Sequence, residues 1–191
     1  TDEEKENLKN ITEAFEDVCV VLNVSNIIDL KWIDEEQFKG HIKSVIIVWQ
    51  GGMEGGNAVA EALSGKATPS GKLPDTVAYD IEDYPANDNF GNELTNLYKE
   101  DIYVGYRYFE TFAPEKVQFE FGFGLSYTTF DIETVSADAD DEKITLEVKV
   151  TNTGDKFSGK EVVQVYYEAP QGALGQPARQ LCAYEKTENL A

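Results

Sequence analysis

Two unbroken apolar runs, VCVVLNV at 18–24 and SVIIVW at 44–49, limit the first third of this chain more than any other feature. Each has the length of a strand and neither alternates, which predicts strands buried on both faces. Helical patterning surrounds them. Thr1 and Glu4 fit a capping box, and Leu8, Ile11 and Phe15 follow on one helix face. A short polar segment at 34–42 reads as helical, and Val59, Ala62 and Leu63 mark a further helix face ended by Gly65 at a C′ position. Residues 1–65 therefore read α-β-α-β-α, the alternation of a mostly parallel sheet. Two strands do not make a stable sheet, so the remaining strands are expected outside this chain.

The pattern changes twice more. Residues 66–127 carry turn chemistry at Pro69-Ser70-Gly71 and a stretch rich in Asp, Asn and Tyr from Tyr79 to Asn96. The aromatic segments IYVGYRYF (102–109) and FEFGFGLSYTTF (119–130) then read as extended chain packed on a neighbouring surface. From 128 onward the period is two. ITLEVKVTN (144–152) places Ile144, Leu146, Val148 and Val150 on one face, with FDIETVSAD (130–138) before it and EVVQVYYEA (161–169) after it. NTGDKFSG (152–159) is a turn-rich connection between strands. Three or four strands with such spacing point to part of an antiparallel sandwich of the immunoglobulin or fibronectin type III kind. The predicted architecture is thus α/β followed by all-β. It divides into an incomplete α/β part (1–96), an aromatic segment (97–127) and the first strands of an incomplete antiparallel sandwich (128–191). The opening TDEEKENLKNITEAF and the closing AYEKTENLA give the expectation of a piece of something larger.

Charge and composition remove several function classes. Lys and Arg number 16 against 36 Asp and Glu, a net charge of −20, which repels nucleic acid and anionic membrane but leaves a neutral ligand such as a sugar unaffected. The same surplus also serves solubility. No run reaches the length of a membrane span, and no secretory leader opens the sequence. Cys19 and Cys182 form neither a disulfide framework nor a metal site; Cys19, inside VCVVL, is expected to pack as a small hydrophobe. The single histidine, His41, has no accompanying serine elbow and is expected on the surface.

The glycine loop Gly51-Gly52-Met53-Glu54-Gly55-Gly56 invites a phosphate-binding reading. Its chemistry argues otherwise. Gly51 and Gly56 have P-loop spacing, but Asn57-Ala58 follow where Lys and Ser or Thr are needed, and Glu54 puts a negative charge where an anion would sit. The stretch also lacks the G-x-G-x-x-G pattern of dinucleotide sites. A tight strand-to-helix turn explains it better, with Glu54 near the free N–H groups of the helix start. Because the loop follows a strand of a parallel sheet, it could still line a site without supplying chemistry. Trp49, beside it, could border a sugar site, with core packing the stronger reading. Arg107, among Tyr103, Tyr106, Tyr108 and Phe109, is read as an inter-domain strut before a sugar contact.

Read together and in order, VIIVWQGGMEGGNAVAEALSGKATPSGKLPDT, YKEDIYVGYRYFE, FEFGFGLSYTTF and VKVTNTGDKFSGKEVVQVYYEAP resemble the β-glucosidases of glycoside hydrolase family 3. The usual family loop reads Pro-Gly-Gln-Glu-Gly-Gly, and this chain departs from it at the Pro and Gln positions. That variant, with APQGALGQPARQLCAYEKT (169–187), looks most like members in which the α/β sandwich and fibronectin-like domain precede the barrel. The resemblance implies a barrel, an α/β sandwich and a fibronectin type III-like domain, and retaining hydrolysis of a terminal β-linked sugar. Residues 1–96 would be the later half of the α/β sandwich, 97–127 an aromatic inter-domain segment and 128–191 the first strands of the fibronectin type III-like domain. It implies an Asp nucleophile on the barrel and a Glu acid/base on a loop preceding the segment that matches NLKNITEAFEDVCVVLN. Neither has a counterpart here. No catalytic, cofactor-binding or metal-binding residue is therefore assigned in this chain, no cofactor is expected, and Glu54 is given a structural role. The implied partners are a β-glucoside or oligosaccharide and the missing barrel and sandwich strands. The lack of disulfides and the domain-order resemblance point to the cytoplasm. Two other readings are a non-catalytic carbohydrate-binding or adhesion module and, disfavoured by the loop, a nucleotide-binding domain.

Overall fold

The computed structural model describes residues 1–191 and divides into two compact units, Thr1–Val59 with Asp75–Phe121 and Ala60–Pro74 with Gly122–Ala191. The first unit opens with helix α1 (Asp2–Ala14). Its capping box forms as expected: the Thr1 hydroxyl accepts from the Glu4 N–H at 3.3 Å. Strand β1 (Val18–Leu22) follows, then β2 (Ile42–Ile47), and the two pair in parallel with Val20 opposite Val45 and Leu22 opposite Ile47. The parallel arrangement read from the apolar runs is present.

Several local expectations are corrected. The connection between β1 and β2 is not a helix over 34–42 but a 3-10 turn at Lys31–Asp34 followed by further turns. Phe38, fully buried, holds it down, with Trp32 edge-on at 6.3 Å. β1 is not buried on both faces, because Val21 and Cys19 are exposed within this chain. The two strands form a sheet of their own, with each strand paired on one edge only. α1 is exposed in the same way. Its predicted apolar face leaves Ile11 and Phe15 largely exposed, and the buried residue is Thr12, whose hydroxyl donates to the Lys9 carbonyl at 3.0 Å. His41 is half-buried instead of on the surface, with Nδ1 enclosed and unpartnered.

Helix α2 (Gly55–Leu63) follows the glycine loop, and Gly65 ends it at φ +75°, its N–H donating to Ala62 at 3.0 Å. Only glycine takes that left-handed backbone cheaply, as the sequence required.

The remainder of the first unit is built on the short strand β3 (Val77–Ala78) and β4 (Val117–Phe119), paired antiparallel. IYVGYRYF is not extended throughout: Tyr106–Phe112 forms helix α3. Gly105, at φ +59°, provides the reversal into it. Phe109 then points into a core with Ala78 and Ala113, bordered by Tyr84, Tyr108 and Val117. Tyr84 fastens this core to the backbone. Its hydroxyl donates to the Thr76 carbonyl and accepts from the Ala78 N–H, both at 2.9 Å. Burial is the main cause that raises its pKa above the usual 10.0, which keeps the donor proton in place.

The second unit has two antiparallel pairs, β5 (Phe130–Ala139) with β6 (Ile144–Asn152) and β7 (Val162–Tyr167) with β8 (Gln180–Lys186). All three strands read from the period-two pattern are present, and β8 adds a fourth. The alternating apolar face of β6 is left open at Ile144 and Leu146. Residues 60–74 are held in this unit by specific bonds. Leu73 N–H donates to Phe123 and Gly122 N–H to Leu73, each at 2.8 Å, and the Tyr127 hydroxyl donates to Ala62 at 2.9 Å. Tyr127 also packs on Phe157, 5.7 Å between ring centres. No helix is long and apolar enough to cross a membrane.

Candidate functional site

The glycine loop leaves the carboxyl end of β2, where open α/β sheets place their ligands. The ladder continues one residue past the strand, with Val48 N–H donating to Leu22 at 2.9 Å. Trp49 then adopts φ +49°, a left-handed conformation that bulky residues rarely take. The chain turns sharply: Gly55 N–H donates to the Gly52 carbonyl at 2.9 Å, and Met53 at the tip is fully exposed. A Cβ on Gly51 would stand 2.9 Å from the Cα of Gly55, so close passage of backbone past backbone requires glycine there. Gly52, Gly55 and Gly56 show no such demand, since a Cβ on any of them would meet open space.

Glu54 stands immediately before α2. Its carboxylate accepts from the Asn57 side chain, and its carbonyl accepts from the Ala58 N–H at 3.0 Å. These bonds tie the loop to the first turn of the helix. The structure brings Trp49, Glu54 and the glycines together as one turn and leaves Trp49 half-buried.

Arg107 lies on α3, with its guanidinium 5.8 Å from the centre of the Tyr106 ring and its Nε enclosed without an acceptor. Tyr106 in turn stacks on Phe121 at 4.9 Å, and Tyr103 packs against Phe112 at 4.8 Å. The aromatic segment is therefore a packed cluster within its unit.

Two charged arrangements had no sequence signal. Lys72 and Glu161, both mostly buried, pair at 2.8 Å; Lys72 also donates to the Gly124 carbonyl, and Glu161 accepts from the Val162 N–H. Asp80 accepts from the Glu82 N–H at 3.1 Å and pairs with Lys31 at 3.3 Å, and these two partners in that order hold its carboxyl below its usual range. The Lys72–Glu161 and Lys31–Asp80 pairs join residues too far apart in sequence to leave a local pattern, whereas the Asp80–Glu82 bond is a local turn.

A parallel strand pair feeding a glycine turn into a helix, followed by antiparallel pairs, agrees with the comparisons. Residues 1–106 match the glycosyl hydrolase family 3 C-terminal domain, and residues 161–191 match the fibronectin type III-like domain. The chain belongs to glycosyl hydrolase family 3. Over its whole length it is 51% identical to a β-glucosidase of Ruminococcus albus and 48% identical to β-glucosidase A of Butyrivibrio fibrisolvens. It spans 20% and 25% of those two proteins. Among solved structures, a β-glucosidase from Paenibacillus barengoltzii superposes at a TM-score of 0.97 with 56% identity, covering all of this chain and 21% of that one. β-Glucosidase 3B from Thermotoga neapolitana superposes at 0.89 with 38% identity, again over the whole of this chain and 27% of that one.

Proposed function

We propose that these residues are a scaffold part of a retaining β-glucosidase that removes terminal, non-reducing β-linked glucose from oligosaccharides or glucosides. The observation that carries this reading is the match of the whole chain, at about half identity, to a fifth or a quarter of proteins named β-glucosidase. The open apolar faces of α1 and β6 also suit a chain that packs against further polypeptide. In such an enzyme one carboxylate attacks the anomeric carbon, while a second protonates the leaving oxygen and then activates water, with the pair about 5–5.5 Å apart. Both lie outside residues 1–191 in this reading. The part described here completes the α/β sandwich, begins the fibronectin type III-like sandwich, and holds the glycine loop in shape. A neutral sugar approaches a surface of charge −20 without penalty, whereas nucleic acid is repelled. The free Cys19 and Cys182 suit a reducing compartment such as the cytoplasm.

The test is nitrophenol release from an aryl β-glucoside. The full-length protein is expected to turn over and residues 1–191 alone are not. Turnover by this chain alone would place the reactive carboxylates within it and overturn the proposal.

A further inference from the structure

Residues 90–105 form neither helix nor strand, yet they are well anchored. The Tyr84 hydroxyl bonds hold the chain before the segment, and the buried Phe109 holds it after. The segment is also shaped from within. Asn92 Oδ1 accepts from the N–H groups of Leu94 and Thr95 at 3.0 and 3.1 Å, and the Asn89 side chain donates to the Leu97 carbonyl at 3.0 Å. This local order leaves the apolar side chains outside. Phe90 is 91% exposed, Leu94 93% and Tyr98 87%, with Leu97, Ile102 and Val104 also uncovered.

A loop that spends its hydrogen bonds on fixing its own shape while presenting six apolar side chains is built to be covered. A sugar could stack only on Phe90 and Tyr98; the other four side chains, Leu94, Leu97, Ile102 and Val104, are aliphatic and would stay uncovered, so an apolar protein surface suits the segment better. A second copy is disfavoured by charge. Glu93, Glu100 and Asp101 on this segment have no ion-pair partner in the chain, and the chain as a whole is at −20. Self-association would bring like rims together. The relatives are four to five times as long as this chain, so most of such a polypeptide lies elsewhere. We infer that residues 90–104 dock onto an apolar patch, rimmed by Lys or Arg, on the part of the same polypeptide outside residues 1–191. This inference rests on the reading above that the chain is part of a longer enzyme.

Chymotrypsin digestion of the full-length protein, with the cut sites mapped by mass spectrometry, tests it. The expected result is protection after Phe90, Leu94, Leu97 and Tyr98 in the native protein. Leu94→Asp and, separately, Glu100→Lys are each expected to raise cutting after Phe90 or Tyr98 by about tenfold or more, because cleavage follows the population of the open segment. Rapid cutting of the native protein at these sites overturns the docking. So does protection that disappears on dilution together with dissociation of a dimer, which assigns the surface to a second copy. Aryl glucoside turnover is measured on the same samples. A protected but inactive protein would sink the β-glucosidase reading and uphold the docking, whereas a cut but active one would do the reverse.

Discussion

Phe109→Ala is expected to destabilise the first unit by about 3–5 kcal/mol, among the largest losses available to a single substitution in this chain. The ring is 1% exposed and touches Ala78 and Ala113, whose methyl groups cannot move in to fill the space it would vacate. Tyr84 and Tyr108 each meet it edge-on at 5.3 Å, so its loss also removes two ring contacts. Tyr84 would then lose the wall that positions its hydroxyl between Thr76 and Ala78. Phe112, one turn further along α3, is 57% exposed and meets Tyr103 and Tyr108 at a tilt. It is the internal control: Phe112→Ala is expected to cost about 1–2 kcal/mol, clearly less than Phe109→Ala. Urea unfolding of both variants in the full-length protein checks the pair. Equal losses would contradict the assignment of the core to the Phe109 face of α3.

Gly51→Ala is expected to have the second large effect, and on activity more than on stability. The new methyl group would lie 2.9 Å from the Gly55 Cα, and backbone cannot swing aside as a side chain can. The turn must open, at a cost of about 1–3 kcal/mol. If the loop borders the sugar site of the full-length enzyme, a shift of about 1 Å in its path is expected to lower kcat/KM by up to about 10²-fold. Gly56→Ala, at a position with open space around it, is expected to leave kcat/KM near the native value. Aryl glucoside kinetics on the two variants distinguish a loop whose path matters from one that is merely rich in glycine. A similar fall in both would remove the special place given to Gly51.

The elements that were legible in the sequence are those whose signals are local. The capping box at Thr1 and Glu4, the parallel pair written in two apolar runs, the Gly65 cap and the alternation of β6 all depend on neighbours within a few residues. α3 carries no helix signal in the sequence, because its start rests on a positive φ at Gly105 while Tyr, Phe and Thr within it read as strand formers. Cys19, Ile11 and Phe15 are exposed for a different reason. Apolar patterning reports that a face will be covered, not that the cover belongs to the same stretch of chain. In the glycine loop the sequence marks a tight turn, but the demand for glycine at Gly51 comes from the close passage of Gly55 backbone, which no local pattern shows. The Lys72–Glu161 pair joins residues with no common motif, and no sequence rule brings them together.

The most direct test is to trap the covalent glycosyl-enzyme of the full-length protein with an activated fluoro-sugar that slows its hydrolysis, then to map the labelled peptide. A labelled aspartate outside residues 1–191 is expected. A sugar bound to any carboxylate within those residues would contradict it.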